Sequence, residues 1–411
     1  MQPKRVVITG LGTINPLGHS VEETWNNLCL GKSGISRVET FDTENIASKI
    51  AGQVGNYNVM DYLDAKEARR MDQYCRYAMI SSILAMKDSN LDSNHPEKLG
   101  VITGTGIGGM QTFEQQTEVF IKKGPRRISP LFIPMMISNI AAGRIAIHFN
   151  ARGVNFNITS ACTSSANAIG EAYRAIKFGA VDAVIACGAE AAVTPLTLAG
   201  FSIMRALSTR NDSPETASRP FDLERDGFVL AEGSATLILE EFEHAKKRGA
   251  KIYAEMVGYG ATCDAFHITM PAPGGEGGAQ SMRNALLDAK IQPEDIQYIN
   301  AHGTSTPLND KAETDAIKNV FGDYSYKLKI NSSKSMLGHT LGAAGAVEAL
   351  ILVKSIQEQK IHQTINLNTP DPDCDLDYNS NGTIPLEIEY GLSNSFGFGG
   401  HNATIIFKKY E

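Results

Sequence analysis

Strand-like apolar runs separated by helical stretches recur along the whole chain, and this alternation limits the fold more than any other feature. "KRVVITGLG", "LGVITGTG", "DAVIACGAE", "ATLILEEF" and "IQYINAHG" are short and rich in apolar residues, many of them β-branched. Between such runs lie stretches like 279–289, "AQSMRNALLDA", that read as helix. Strands alternating with helices give an α/β fold whose central sheet is largely covered by helices. With 411 residues, 42% of them hydrophobic, the chain can bury a core of that kind.

A second regularity points to two related halves. "NFNITSACTSSANAIGEAYRAIKFG" and "LKINSSKSMLGHTLGAAGAVEALILVKSI" share an order of strand, Ser-rich turn and small-residue helix. The copies lie about 170 residues apart, far beyond solenoid spacing, so duplication of a whole α/β half is the simpler reading. No low-complexity linker separates the halves. The polar stretch 208–226 is long enough to be a functional loop.

The formal net charge of -7 is spread through the chain, without the basic stripe of a nucleic-acid binder. No segment reaches the ~18 apolar residues of a membrane span, so a cytoplasmic protein is expected. Six cysteines, Cys29, Cys75, Cys162, Cys187, Cys263 and Cys374, lie far apart with no C-x-x-C pair. That spacing fits neither a disulfide framework nor a zinc site, so any cysteine that matters chemically acts as a thiol.

"GTGIGG", 104–109, formally fits the glycine fingerprint of a dinucleotide site. It sits well inside the chain and lacks the acidic residue expected at a following strand end, so close backbone packing is the better reading. Cys162 stands out more. Residues 153–158 read as a strand, and Ala168, Ala172, Ala175 and Ile176 share one face of the helix that follows. The thiol is therefore expected near a helix N-terminus, where unpaired amides favour thiolate. His302 in "INAHGTSTPLNDKAE" and His339 in "SSKSMLGHTLGAAGA" are flanked by Ser, Thr and Gly rather than by an apolar stripe. A cysteine with two separately placed histidines suggests acyl transfer.

"SACTSSANA", "AHGTSTPLNDKAE", "KSMLGHTLGAAGAVE" and "NSFGFGGHN" occur in this order and resemble the signature segments of β-ketoacyl-acyl-carrier-protein synthases, closest to the elongating type II class. The resemblance implies the thiolase fold, duplicated halves in five layers α-β-α-β-α, as one unit over 3–410 with halves 3–250 and 251–410. It implies a decarboxylating condensation of a Cys-bound acyl chain with malonyl-acyl-carrier-protein, with no cofactor and usually as a homodimer. A stand-alone ketosynthase of a polyketide or aryl-polyene pathway shares the same residue set, and a non-catalytic chain-length subunit is the alternative from another class.

Carried over residue by residue, Cys162 takes the acyl chain, and His302 and His339 stabilise the enolate formed as carbon dioxide leaves. The amides of Cys162 and Phe398 form the oxyanion hole, Phe398 is also a gate, and Thr304, Thr306, Ile107 and Phe396 touch substrate. Lys334 needs partners where it is buried, and Glu348, Asp310 and Glu313 are the acids expected to supply them. Asn300, Glu348, Ser393 and Asn394 resemble a structural monovalent cation site of some relatives. Carrier proteins are acidic, so docking one calls for local cations: Lys66, Arg69 and Arg70, then Lys122, Lys123, Arg126 and Arg127, then Arg205.

Overall fold

In the computed structural model, which describes residues 3–92 and 94–411, ten strands form one hydrogen-bonded sheet. Five belong to the first half: β1 (Val6–Ile14), β2 (Leu99–Gly104), β3 (Asn155–Ile158), β4 (Ala183–Glu190) and β5 (Gly233–Glu241). Five belong to the second: β6 (Ala254–Cys263), β7 (Ile296–Asn300), β8 (Lys329–Asn331), β9 (Tyr390–Gly397) and β10 (His401–Lys409). The order is β3-β2-β4-β5-β1 in the first half and, from the opposite edge, β8-β7-β9-β10-β6 in the second. Both halves thus use the same order, third strand, second, fourth, fifth, first. They join where Val6, Val7 and Ile8 pair antiparallel with Met256, Glu255 and Ala254.

The helices that matter for the layers and the site are α1 (Gln73–Ser89), α2 (Met110–Lys123), α3 (Ser164–Lys177), α4 (Glu276–Ala289), α5 (Pro307–Phe321) and α6 (Ala344–Glu358). α1 covers the outer face of β1, β4 and β5, and α4 covers β6 and β10. α3 and α6 lie in the middle and touch strands of both halves, giving five layers α-β-α-β-α. The sequence of α6, "AGAVEALILVKSIQE", is apolar nearly all round, and residues 344–356 are all buried, as a helix enclosed by two sheets requires. One core cluster accordingly runs from Ile169 and Ala172 through Leu350 and Val353 to Leu237 and Ile405.

The duplication extends to packing detail. A side chain at Gly12 of β1 would strike the Ser81 carbonyl of α1, and one at Gly260 of β6 would strike the Ser281 carbonyl of α4. Each half therefore needs a glycine on its first strand to let its outer helix approach. Close packing also accounts for 104–109: a Cβ at Gly104 would stand 2.5 Å from the Ser164 carbonyl oxygen, where α3 begins. The polar stretch 208–226 is fastened rather than free. Arg219, Asp222 and Arg225 are buried, and Arg225 bonds Asp371 at 2.5 Å. No helix among the described residues is long and apolar enough to cross a membrane.

Candidate active site

Within each half the second, third and fourth strands run parallel, and the loops leaving their C-terminal ends meet in one cavity of 510 Å3. Ligand sites of α/β sheets gather at such ends. Cys162, His302, His339, Ile107, Thr304, Thr306, Phe396 and Phe398 all line it.

Cys162 sits on a turn built by hydroxyl groups. Ser164 Oγ accepts from the Ser160 amide at 2.9 Å and donates to the Ala161 carbonyl at 2.6 Å, while Thr163 Oγ1 donates to the Ser160 carbonyl at 2.7 Å. Ala161 is held at φ 52, a left-handed conformation that an L side chain rarely adopts. The turn delivers the thiol to the start of α3, and the Phe398 amide donates to it. The expectation of a readily formed thiolate needs correction. Burial pushes the Cys162 thiol up to about 12, and the charge of Lys334 and the Phe398 amide oppose this without reversing it. Desolvation of the charged form outweighs the helix end at this half-buried thiol.

The histidines face one another, ring centroids 5.3 Å apart and planes at 85°. His302 lies just beyond the end of β7, its amide and that of Gly303 held at 2.8 Å each by the carboxylate of Glu313. Lys334, 2% exposed, forms an ion pair with Glu348 and places Nζ 3.3 Å from His302 Nδ1. An ammonium only donates, so Nδ1 accepts and the ring proton is on Nε2. His339 is fixed by its backbone, its amide donating to the Val229 carbonyl at 2.7 Å. Burial, and then Lys334, lower both imidazoles well below the ordinary value, so both are neutral at physiological pH. The cavity thus joins a thiol, two neutral imidazoles and an amide donor, the parts of acyl transfer with stabilisation of a developing oxyanion.

The acids divide differently from the sequence expectation. Of the three offered to Lys334, only Glu348 reaches it. Glu313 turns to the His302 backbone, and Asp310, one turn earlier on α5, accepts from the Phe221 amide at 2.9 Å and lies 3.6 Å from Arg225. Asp310 therefore secures the 208–226 stretch rather than the catalytic cavity. Two further features were not singled out from the sequence. Phe228 packs edge-on to His339 with centroids 5.3 Å apart, and Glu190, at the end of β4, gathers backbone amides from two loops. An acid ending an otherwise apolar strand is the only signal that marks Glu190.

Asn300 and Ser393 are cross-strand neighbours on β7 and β9. Asn300 Oδ1 and Glu348 Oε2 are buried with no hydrogen-bond partner, so these oxygens fit a hard cation, whereas Asn394 already accepts from Thr404 at 2.9 Å. Lys66, Arg69, Arg70, Arg126, Arg127 and Arg205 are all exposed, and of these only Arg205 lines the cavity.

Residues 3–245 match the family model for the beta-ketoacyl synthase N-terminal domain, and residues 253–368 match that for its C-terminal domain. The chain is 50% identical to a 3-oxoacyl-[acyl-carrier-protein] synthase 2 of Staphylococcus aureus, covering 100% of this chain and 99% of the relative. It is equally 50% identical to the synthase of the same name from a Synechocystis species, with the same coverage. Among solved structures, a beta-ketoacyl synthase from Burkholderia phymatum superposes with a TM-score of 0.93 at 36% identity, covering 99% of this chain and 100% of the other. A type II polyketide ketosynthase, solved in complex with its acyl-carrier protein and bound to a hexaketide, superposes with a TM-score of 0.92 at 38% identity and full coverage of both chains.

Proposed function

The chain belongs to the β-ketoacyl synthase family, as a condensing, acyl-transferring enzyme of fatty acid elongation, and we propose that Cys162, His302 and His339 carry its reaction. The observation that carries this reading is their convergence, from both halves, on one cavity beneath the Phe398 amide.

In the first step Cys162 Sγ attacks the carbonyl of an acyl-carrier-protein thioester. The bond to the carrier sulfur breaks, the thiol proton leaves with the carrier thiol, and a new thioester forms on Cys162. The thiolate that develops is favoured by the helix end, the Phe398 amide and the nearby Lys334 charge, which offset only part of the cost of its burial. In the second step malonyl-acyl-carrier-protein loses carbon dioxide, and the electron pair of the broken bond becomes an enolate. The Nε2–H of His302 donates to the enolate oxygen, with His339 as the second donor; neutral rings suit this role because they stabilise charge without surrendering a proton. In the third step the enolate carbon attacks the Cys162 thioester. The amides of Cys162 and Phe398 hold the tetrahedral oxyanion, and its collapse leaves the 3-oxoacyl product and expels the Cys162 sulfur, which takes up a proton from solvent to restore the thiol.

Lys334 is a positioning residue here, fixing the His302 tautomer, and Glu348 holds it in place as its ion-pair partner. Of Asn300, Glu348, Ser393 and Asn394, the unpartnered oxygens of Asn300 and Glu348 would hold a monovalent cation whose chemistry is structural. Thr304, Thr306, Phe396 and Ile107 line the substrate path, and Phe398 gates it. Lys66, Arg69, Arg70, Arg126, Arg127 and Arg205 are read as the docking surface for the acidic carrier. The unit is taken as 3–410, divided at 250, acting as a homodimer in the cytoplasm.

Incubating purified enzyme with acyl-carrier-protein thioesters of several lengths and malonyl-acyl-carrier-protein should yield a 3-oxoacyl-carrier product two carbons longer, identified by mass spectrometry. Absence of acyl-Cys162 and of released carbon dioxide across the panel would overturn the assignment. Repeated unreduced extension would instead place the enzyme with polyketide ketosynthases.

A further inference from the structure

Glu190 ends β4 fully buried, and four donors converge on its carboxylate. Thr105 Oγ1 donates to Oε1 at 3.0 Å and the Ile107 amide at 3.2 Å. The Gly106 amide donates to Oε2 at 2.7 Å and the Gly342 amide at 3.0 Å. The Thr105 hydroxyl also receives the Gly108 amide at 3.2 Å, which leaves its own hydrogen for Glu190. Every neighbour is a donor, so both oxygens must accept, and only a carboxylate meets that demand.

The residues it holds come from opposite halves. Thr105, Gly106 and Ile107 leave β2, whereas Gly342 closes the turn that begins at His339. Gly342 has no room for a side chain, since a Cβ there would strike the Gly106 amide. The residue between, Leu341, lines the main cavity at φ 48, a conformation that persists only where surrounding contacts impose it. Ile107 lines both that cavity and a second one of 380 Å3, walled by Gly109, Met110, Phe113, Met136, Ile137 and Ser138. Its side chain, 40% exposed, stands between the two spaces.

We propose that Glu190 is a positioning residue that fixes the Ile107 partition and the His339–Gly342 turn as one unit, so that acyl length selection and the histidine site are set together. This rests on the reading that Cys162 carries the acyl chain in the cavity beside Ile107. In Glu190→Gln the side-chain amide would present hydrogens to amide hydrogens, the clamp would open, and Ile107 would no longer be held against long chains.

The test compares acylation of Cys162 by a short and a long acyl-carrier-protein thioester, butyryl and dodecanoyl, in wild type, Glu190→Gln, Ile107→Ala and the double variant. The ratio of long to short kcat/KM does not depend on how much enzyme is folded, so a general loss of structure does not move it. In Glu190→Gln that ratio should rise about tenfold, and release of carbon dioxide from malonyl-acyl-carrier-protein should fall about tenfold. Ile107→Ala should raise the ratio, and the double variant should raise it no further. Should Glu190→Gln fail to fold, Gly342→Ala disturbs the same contact from the other side and should shift the ratio the same way. A ratio that stays at the wild-type value in Glu190→Gln, or in Gly342→Ala where only that variant folds, overturns the proposal. Failure of wild-type Cys162 to acylate at all overturns the functional reading instead.

Discussion

At the end of the third strand of the first half, residues 159–163 suffice before α3 begins, whereas at the same place in the second half residues 332–343 intervene before α6. The short turn presents one thiol, and the long one presents Lys334 and His339. After the second strand the first half places Ile107 and the second places His302; at the end of the fourth stand Glu190 in the first half and the Phe398 loop in the second. One strand order has therefore been loaded in two ways. On the proposed reading the first half contributes the nucleophile and a cavity wall, and the second contributes the two histidines that hold the enolate charge. Duplication gave the enzyme two sets of loop positions facing one space, and each set could specialise without altering the frame.

The largest effects separate the halves outright. Replacing the nucleophile by Cys162→Gln should lower condensation by at least about 10^4-fold while leaving carbon dioxide release from malonyl-acyl-carrier-protein within about tenfold of wild type. His302→Ala and His339→Ala should each lower that release about 10^2- to 10^3-fold, the cost of losing an oxyanion donor. Radiolabelled carbon dioxide measured for all three decides the point, and equal loss in all would erase the division of labour.

A smaller effect sharpens the second half's role. Burial and then Lys334 keep His302 and His339 neutral, so removing the ammonium should raise their pKa toward the ordinary value of 6.5. In Lys334→Gln combined with Glu348→Gln, which strands no buried charge, the acidic limb of carbon dioxide release should move to higher pH. Activity then falls as imidazolium forms at a pH where wild type is still active. A limb that does not move, read from a pH profile between 5 and 8, would confine Lys334 to packing. The smallest effect concerns the first half's surface: Arg126→Glu with Arg127→Glu should raise the KM for acyl-carrier-protein about tenfold at low salt and spare acylation by a small carrier-free thioester.

Much of this was legible in the sequence because local chemistry fixes it. Strand runs, the small-residue helix after Cys162 and the Ser- and Gly-flanked histidines all announce themselves within short windows. Partner choice did not, because it depends on segments distant in sequence. Asp310 and Glu313 stand one turn apart on α5 and look equivalent, yet one meets Arg225 and the other the His302 backbone. The thiol misled for a related reason: the helix end is visible in the sequence, and the depth to which the fold buries Cys162 is not.

The middle helices bear on how the protein is made. α3 is complete at Lys177, but contacts that cover it include α6 and strands β6 and β10, all encoded after β5. A chain emerging from the ribosome therefore carries an apolar helix face, with Ala172 and Ile176 on it, well before its cover exists. At about 5–20 residues per second the interval lasts roughly ten seconds or more, long enough for an exposed face to meet another chain. A shared central layer thus leaves the early half without part of its cover until the late half has been made.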